Sequence, residues 1–159
     1  MMVLFLDLDG VVNDDDWQRA TDKRYPGVVV WSEEVGQAMI DPKRLARVQA
    51  ICDATGASIV IVSGWRKWAS AEVIAGILQA QGLKAQVIDA VGGVRFSGDL
   101  RASATKEWLA CHRDVTAYVI VDDNGLQWER FRDLCAHLVS PRDGIEDEDV
   151  VRAIEILSR

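Results

Sequence analysis

The sequence predicts an α/β fold: a three-layer, Rossmann-like parallel sheet of about five strands with helices on both faces and a small flap insertion. Three observations predict it. Short apolar runs alternate with amphipathic stretches along the chain, the order that produces parallel strands joined by crossover helices. The strand-like runs are continuously apolar, as strands covered on both faces are. The polar residues Asp7 and Asp9, Ser63, and Asp122 and Asp123 each stand directly after such a run. In open α/β sheets, ligands bind outside the carboxyl ends of the strands.

Met2 to Leu6 is the first expected strand, and it stops abruptly at Asp7-Leu8-Asp9-Gly10. The interval from Val12 to Ile40 then breaks the alternation. A loop of that length inside a compact domain is uncommon and often covers an active site. Val28-Val29-Val30-Trp31 has strand character, so part of the interval is expected to form a β-hairpin flap. Asp14-Asp15-Asp16 is either a solvated turn or a metal ligand set, and consecutive acids favour the first. Asp41 caps and Pro42 opens a helix to about Ala54, ended by Gly56. Its apolar residues Leu45, Val48, Ile51 and Cys52 recur at helical spacing. Ser58 to Val62 is the second strand, and a helix from about Ser70 to Gln81 follows, closed by Gly82. The third strand is expected at Ala85 to Ile88, the next helix from Ser103 to about His112, and the fourth strand from Thr116 to Val121. A short helix over Leu126 to Leu134, a fifth strand at His137 to Val139, and a last helix ending near Leu157 complete the pattern. Glu146 to Asp149 precede that helix, where acidic residues favour its dipole.

The 159 residues fit one domain, 1–159, with 12–40 as a flap or minimal cap. Such a length buries a proper core without disulfide or metal staples. An apolar content of 49% is ordinary for a globular protein, and no apolar run approaches the ~20 residues that span a bilayer. The N-terminus lacks the basic region of a signal peptide. Three cysteines, Cys52, Cys111 and Cys135, are too few and too irregular for a disulfide framework, so a cytoplasmic location is expected. Cys111-His112 and Cys135-Ala136-His137 lack the paired spacing of a zinc site. The formal net charge of −7 disfavours long nucleic acid as the main partner, while a nucleotide or a nucleic-acid end stays open.

Carboxylates buried at a strand end are costly unless a cation or a reaction uses them. Asp7, Asp9, Asp122 and Asp123 offer only hard oxygen ligands, the set that suits Mg²⁺. Each motif also has a structural alternative: Asp9-Gly10, Ser63-Gly64 and Asp122-Asp123-Asn124-Gly125 are all good turn sequences.

Taken together, Asp7-Leu8-Asp9-Gly10-Val11, Ser63 after a strand, Lys106 on a helix, and Asp122-Asp123 after another strand resemble the four ordered motifs of the haloacid dehalogenase-like (HAD) superfamily. The likeness spans residues 2 to about 139, and the second aspartate, Asp9, resembles the phosphatase branch. The resemblance implies a Mg²⁺-dependent phosphomonoesterase. Asp7 would be the nucleophile that forms an aspartyl-phosphate, and Asp9 the general acid and base. Ser63 and the Gly64 backbone N–H would hold phosphate oxygens, and Lys106 would neutralise Asp7 and the phosphoryl group. Asp7, the Asp9 carbonyl, Asp122 and Asp123 would hold the metal. Ser63-Gly64-Trp65-Arg66, with the Phe-Leu-Asp-Leu-Asp-Gly-Val opening, also resembles a subgroup linked to nucleic-acid repair.

A minimal cap leaves the site open to a bulky ester or a polymer end. Trp65, Arg66, Lys67 and Trp68 follow Ser63-Gly64 and offer stacking and cationic groups for a nucleobase or a second phosphate. Trp65 and Trp68 have packing against the flap as an equal alternative, and Trp17 and Trp31 either face them across a pocket or line it. Two other readings keep the fold: a non-catalytic phosphate- or partner-binding module, and a phosphotransferase that passes the phosphoryl group to an acceptor other than water.

Overall fold

A computed structural model describes residues 1–26, 32–91 and 100–159. Five strands, β1 (Met2–Leu6), β2 (Ser58–Ile61), β3 (Val87–Ala90), β4 (Ala117–Val121) and β5 (Leu138–Val139), form one sheet in the order β3-β2-β1-β4-β5. All pairings are parallel. The chain winds outward from β1 through β2 to β3, then returns to the other side of β1 for β4 and β5. The topological switch point therefore lies between β1 and β4, where Leu6 is level with Val121.

Alternate residues of β1, β2 and β4 feed two separate cores. Leu4, Leu6, Ile59, Ile61, Val119 and Val121 face one side, with Leu45, Val48 and Ile51 of α3 (Pro42–Thr55), Ile74, Ile77 and Leu78 of α4 (Ala71–Ala80), and Ala153, Ile156 and Leu157 of α7 (Asp147–Leu157). Val3, Phe5, Val60 and Ile120 face the other, with Ala102 and Trp108 of α5 (Leu100–Cys111), and with Trp128 and Leu134. Phe5 meets the Trp108 ring edge-on, with centroids 5.5 Å apart. Burial on both faces explains why the strands are continuous apolar runs.

The predicted caps are in place around α3, where Asp41 accepts from the Lys43 N–H at 2.8 Å and Gly56 ends the helix at φ 71°. Ser70 caps α4, and Glu146 with Asp149 forms a capping box on α7. Several expectations are corrected. The third strand lies two residues later than predicted, because the Lys84 and Ala85 N–H groups donate to Gln49 Oε1 at 2.7 and 2.9 Å and leave the ladder. The single helix expected over 126–134 is instead a 3₁₀ turn, Gly125–Gln127, and a short α6 (Arg132–Cys135), with the fully buried Trp128 between them. The helix expected from Ser103 starts earlier, at Leu100.

The largest difference lies in residues 12–40. They carry two helices, α1 (Asp15–Arg24) and α2 (Glu33–Met39). The hairpin strand expected at Val28-Val29-Val30-Trp31 lies outside the described residues. The Asp14-Asp15-Asp16 run is a helix start: Asp14 accepts from the Trp17 N–H, and Asp15 and Asp16 occupy the first turn, where acids favour the dipole. Trp17 does not line a pocket wall opposite Trp65; its Nε1 donates to the Ala38 carbonyl at 2.9 Å and ties α1 to α2. Among the described residues no helix is long and apolar enough to cross a membrane.

Candidate active site

Three carboxylates converge at the switch point. Asp7 and Asp122 follow β1 and β4 directly, and Asp123 follows Asp122. One oxygen from each lies within 4.8 Å of the others, and this is the group of potential metal ligands that the described residues assemble. Asp7 is 2% exposed and Asp122 fully buried, while Asp123 opens to solvent. Backbone geometry holds the two buried acids. Asp7 Oδ1 accepts from the Leu8 N–H at 2.8 Å, and Asp122 Oδ1 accepts from the Asn124 N–H at 2.8 Å. The ladder continues into the site through the Asp7 N–H, which donates to the Val121 carbonyl at 2.9 Å.

The cation at this cluster is Arg101. Its Nη1 donates to Asp7 Oδ2 at 2.5 Å and to Asp122 Oδ2 at 2.9 Å. Its Nη2 lies towards Gly64, 3.8 Å from where a Cβ on that residue would sit. Lys106, expected to neutralise Asp7, is not there. Its Nζ pairs with Asp133 at 2.9 Å on the exposed side of α5 and lies 5.2 Å from the centre of the Phe131 ring. Five residues of helix separate the two positions by about 140° around the axis, so both cannot face Asp7. Arg101 lies near Lys106 in sequence but precedes the expected helix start at Ser103, so the sequence reading assigns the role to Lys106.

Burial, and secondly the Asp122 charge, push the Asp7 carboxyl up to about 7, while Arg101 pulls it down. Asp123 is raised by burial of its inner side and by Asp122. Burial works against the Arg101 charge, but Asp7 and Asp122 more than offset it. One guanidinium therefore faces three carboxylates. A hard divalent cation fits this donor set, because it would relieve the repulsion and restore the ionised form of Asp7.

Asp9 is held differently from its neighbours. Its carboxylate accepts from Trp65 Nε1, 3.1 Å to Oδ1 and 3.0 Å to Oδ2, and from Asn13 Nδ2 at 3.4 Å. Its side chain is not in the three-carboxylate group. Trp65, expected as a substrate contact, is 4% exposed and points inward at Asp9. Gly10 has φ 75°, and a Cβ there would collide with the Asp123 carboxylate, so this turn admits glycine alone.

Ser63 is 1% exposed and caps the 3₁₀ turn Gly64–Lys67 through its hydroxyl, which accepts from the Trp65 N–H at 3.4 Å. Arg66 is part-buried, and its Nε has no hydrogen-bond partner among the described residues. Trp68 is 69% exposed. A cleft of about 310 Å³ opens over the cluster, lined by Asp7, Asp9, Gly10, Arg101, Asp123, Asn124 and Gln127, with Asp15 and Gln18 of α1 on one wall. The Cys-His pairs stay apart from this chemistry. His112 stacks on Trp108 and His137 on Tyr118, and burial pushes the Cys52 thiol up to about 12.

The family model described as "HAD domain in Swiss Army Knife RNA repair proteins" matches residues 3–150. The chain belongs to this family. No curated protein and no solved structure matches it. The match runs from Val3 of β1 to the first turn of α7, so the strand-end acids and the α1–α2 segment both lie within the HAD domain.

Proposed function

We propose that this HAD domain is a Mg²⁺-dependent phosphomonoesterase working through an aspartyl-phosphate, with a nucleotide or nucleic-acid terminal phosphate as substrate. The observation that carries the reading is the convergence of Asp7, Asp122 and Asp123 within 4.8 Å at the switch point, beside Arg101 and Asp9. Asp7, Asp122 and Asp123, with the Asp9 carbonyl, would hold Mg²⁺, which would neutralise the phosphoryl charge.

Asp7 attacks phosphorus in line, and the bond to the leaving alkoxide breaks as Asp9 delivers a proton to it. Asp9 then takes a proton from a water that attacks the same phosphorus. The bond to Asp7 breaks, releasing inorganic phosphate and the free carboxylate. Arg101 fills the role expected of Lys106, facing Asp7 and the phosphoryl oxygens from the first turn of α5. Ser63 and the Gly64 N–H complete the phosphate contacts. The planar guanidinium suits phosphate well.

The substrate class rests on three features. The cleft is walled by one helix of a small cap, which leaves room for a large ester. Trp68 presents an exposed indole one 3₁₀ turn beyond Ser63, next to Lys67, where a terminal base can stack. The family description places such domains in RNA repair proteins. The test is phosphate release from sugar phosphates, nucleoside monophosphates and terminally phosphorylated oligonucleotides, with and without Mg²⁺. Release by wild type, preferring the nucleotide classes and lost in Asp7→Asn, is expected. Release that persists in Asp7→Asn, or none from folded wild type, would sink the proposal.

A further inference from the structure

A buried indole hydrogen-bonding to both oxygens of a carboxylate is a specific arrangement. Trp65 could have filled the same space as a hydrophobic residue, yet its Nε1 meets Asp9 Oδ1 at 3.1 Å and Oδ2 at 3.0 Å. The indole ring itself is buried in the core shared with residues of α3 and α4. From the other side comes Asn13, fully buried. Its Nδ2 approaches Asp9 Oδ1 at 3.4 Å and donates to the Met39 carbonyl at 3.1 Å. Its Oδ1 accepts from the Gly10 N–H and from Gln18 Nε2, at 2.8 and 2.9 Å. Asn13 thus joins the Asp9 turn to α1 through Gln18 and to α2 through Met39. The same Asp9 carboxylate lines the cleft.

Resting on the phosphatase reading, we infer that Trp65 is a positioning residue that aims Asp9 at the leaving-group oxygen, with Asn13 as its counterpart on the cap side. A carboxylate on a short side chain rotates freely about χ2 unless donors fix its plane. Two anchors on different elements, the turn after β2 and the start of the cap, fix that plane before substrate arrives. Proton delivery depends on reach and alignment, and a small displacement removes much of its benefit.

Positioning of a general acid has a signature that packing lacks. An ester whose alcohol is a poor leaving group needs the proton, whereas p-nitrophenolate leaves without it. The experiment compares kcat/KM for a nucleoside monophosphate and for p-nitrophenyl phosphate in wild type, Trp65→Phe, Asn13→Asp and Asp9→Asn, with Tm measured on each. Phe keeps most of the ring and removes the N–H. Asp at position 13 keeps the acceptor for Gly10 and Gln18 but removes the donor that faces Asp9 and the Met39 carbonyl, and sets a second carboxylate beside Asp9.

The expected result is a loss of at least about tenfold on the nucleotide beyond any loss on p-nitrophenyl phosphate. Trp65→Phe and Asn13→Asp should both show it, and Asp9→Asn should show a larger loss of the same kind. Adding Trp65→Phe to Asp9→Asn should cost nothing further in that ratio. Equal losses on both esters, tracking Tm, would overturn the positioning role while leaving the phosphatase reading intact. Wild type inert on both esters would overturn both. If Trp65→Phe does not fold, Trp65→Met, which also fills space without the N–H, decides the matter by the same ratio.

Discussion

At Gly10 and Arg101, single atoms decide what the site can be. A methyl group at Gly10 would meet the Asp123 carboxylate, at a backbone φ of 75° that disfavours any side chain. Gly10→Ala is expected to cost about 1–3 kcal/mol from strain and to weaken Mg²⁺ binding by displacing Asp123. Denaturant midpoints with and without Mg²⁺ would separate the two effects. Arg101 is the one cation on Asp7 and Asp122 among the described residues. Arg101→Ala should lower phosphate release on the order of a hundredfold or more. Lys106→Ala removes a surface pair with Asp133 and a contact over the Phe131 ring and should change the rate by less than about twofold. Equal effects of the two substitutions would restore Lys106 as the working cation. The strand-end acids were legible in sequence because costly residues followed apolar runs. Arg101 was not, because the helix was expected to begin after it, and only a helix that starts at Leu100 carries Arg101 on the face opposite Lys106.

Among elements, Arg44 of α3 ties α1 to α7. Its guanidinium reaches Asp14, the cap of α1, at 2.6 Å and Glu146, the cap of α7, at 2.7 Å, and Nη1 also donates to the Ile145 carbonyl. Gly144 lies so close that a Cβ there would collide with the guanidinium. Burial raises the Asp14 carboxyl, but the hydrogen bonds from Arg44 and Trp17, with the Arg44 charge, hold it below the usual carboxylate value. A carboxyl depressed in the folded state contributes stability above its unfolded pKa, and that contribution is lost as pH falls through the folded value. Asp14→Asn, which keeps a capping acceptor, is therefore expected to lower Tm at pH 7 and to converge with wild type at strongly acidic pH. A constant difference across the range would mean the charge contributes nothing. Sequence patterning missed α1 for a physical reason. Only Thr21 of its ten residues is buried, so it carries no apolar stripe, and its evidence lies in capping and charge placement alone.

For the whole molecule, charge and metal govern the outlook. Mg²⁺ that binds the folded chain and not the unfolded one stabilises by mass action, about 2.7 kcal/mol at a hundredfold excess over Kd. Thermal melts should therefore rise with Mg²⁺ in wild type and stay flat in Asp122→Asn. No rise in wild type would remove the metal from the proposal. The net charge of −7 predicts that an oligonucleotide is held at its phosphorylated end and not along its backbone. Raising salt from about 50 to 200 mM should then leave KM for such an oligonucleotide nearly level, without the roughly 10³-fold or greater weakening of a protein that neutralises many phosphates. A steep salt dependence would reveal a basic track along the nucleic acid.

The sequence by itself determined the layer architecture, the parallel sheet and the rim of Asp7, Asp9, Ser63, Asp122 and Asp123. Hydrophobic periodicity, caps and turn residues are local properties, and a continuous apolar run ending in acids is visible without knowing what lies beside it. The tertiary structure alone decided which cation reaches Asp7, what Trp65 touches, and what fills residues 12–26 and 32–40. Those depend on the angle at which one element meets another. Arg101 and Lys106 are equally basic, and only the packing of α5 through Ala102, Thr105 and Trp108 against the sheet turns the first towards Asp7 and the second towards solvent.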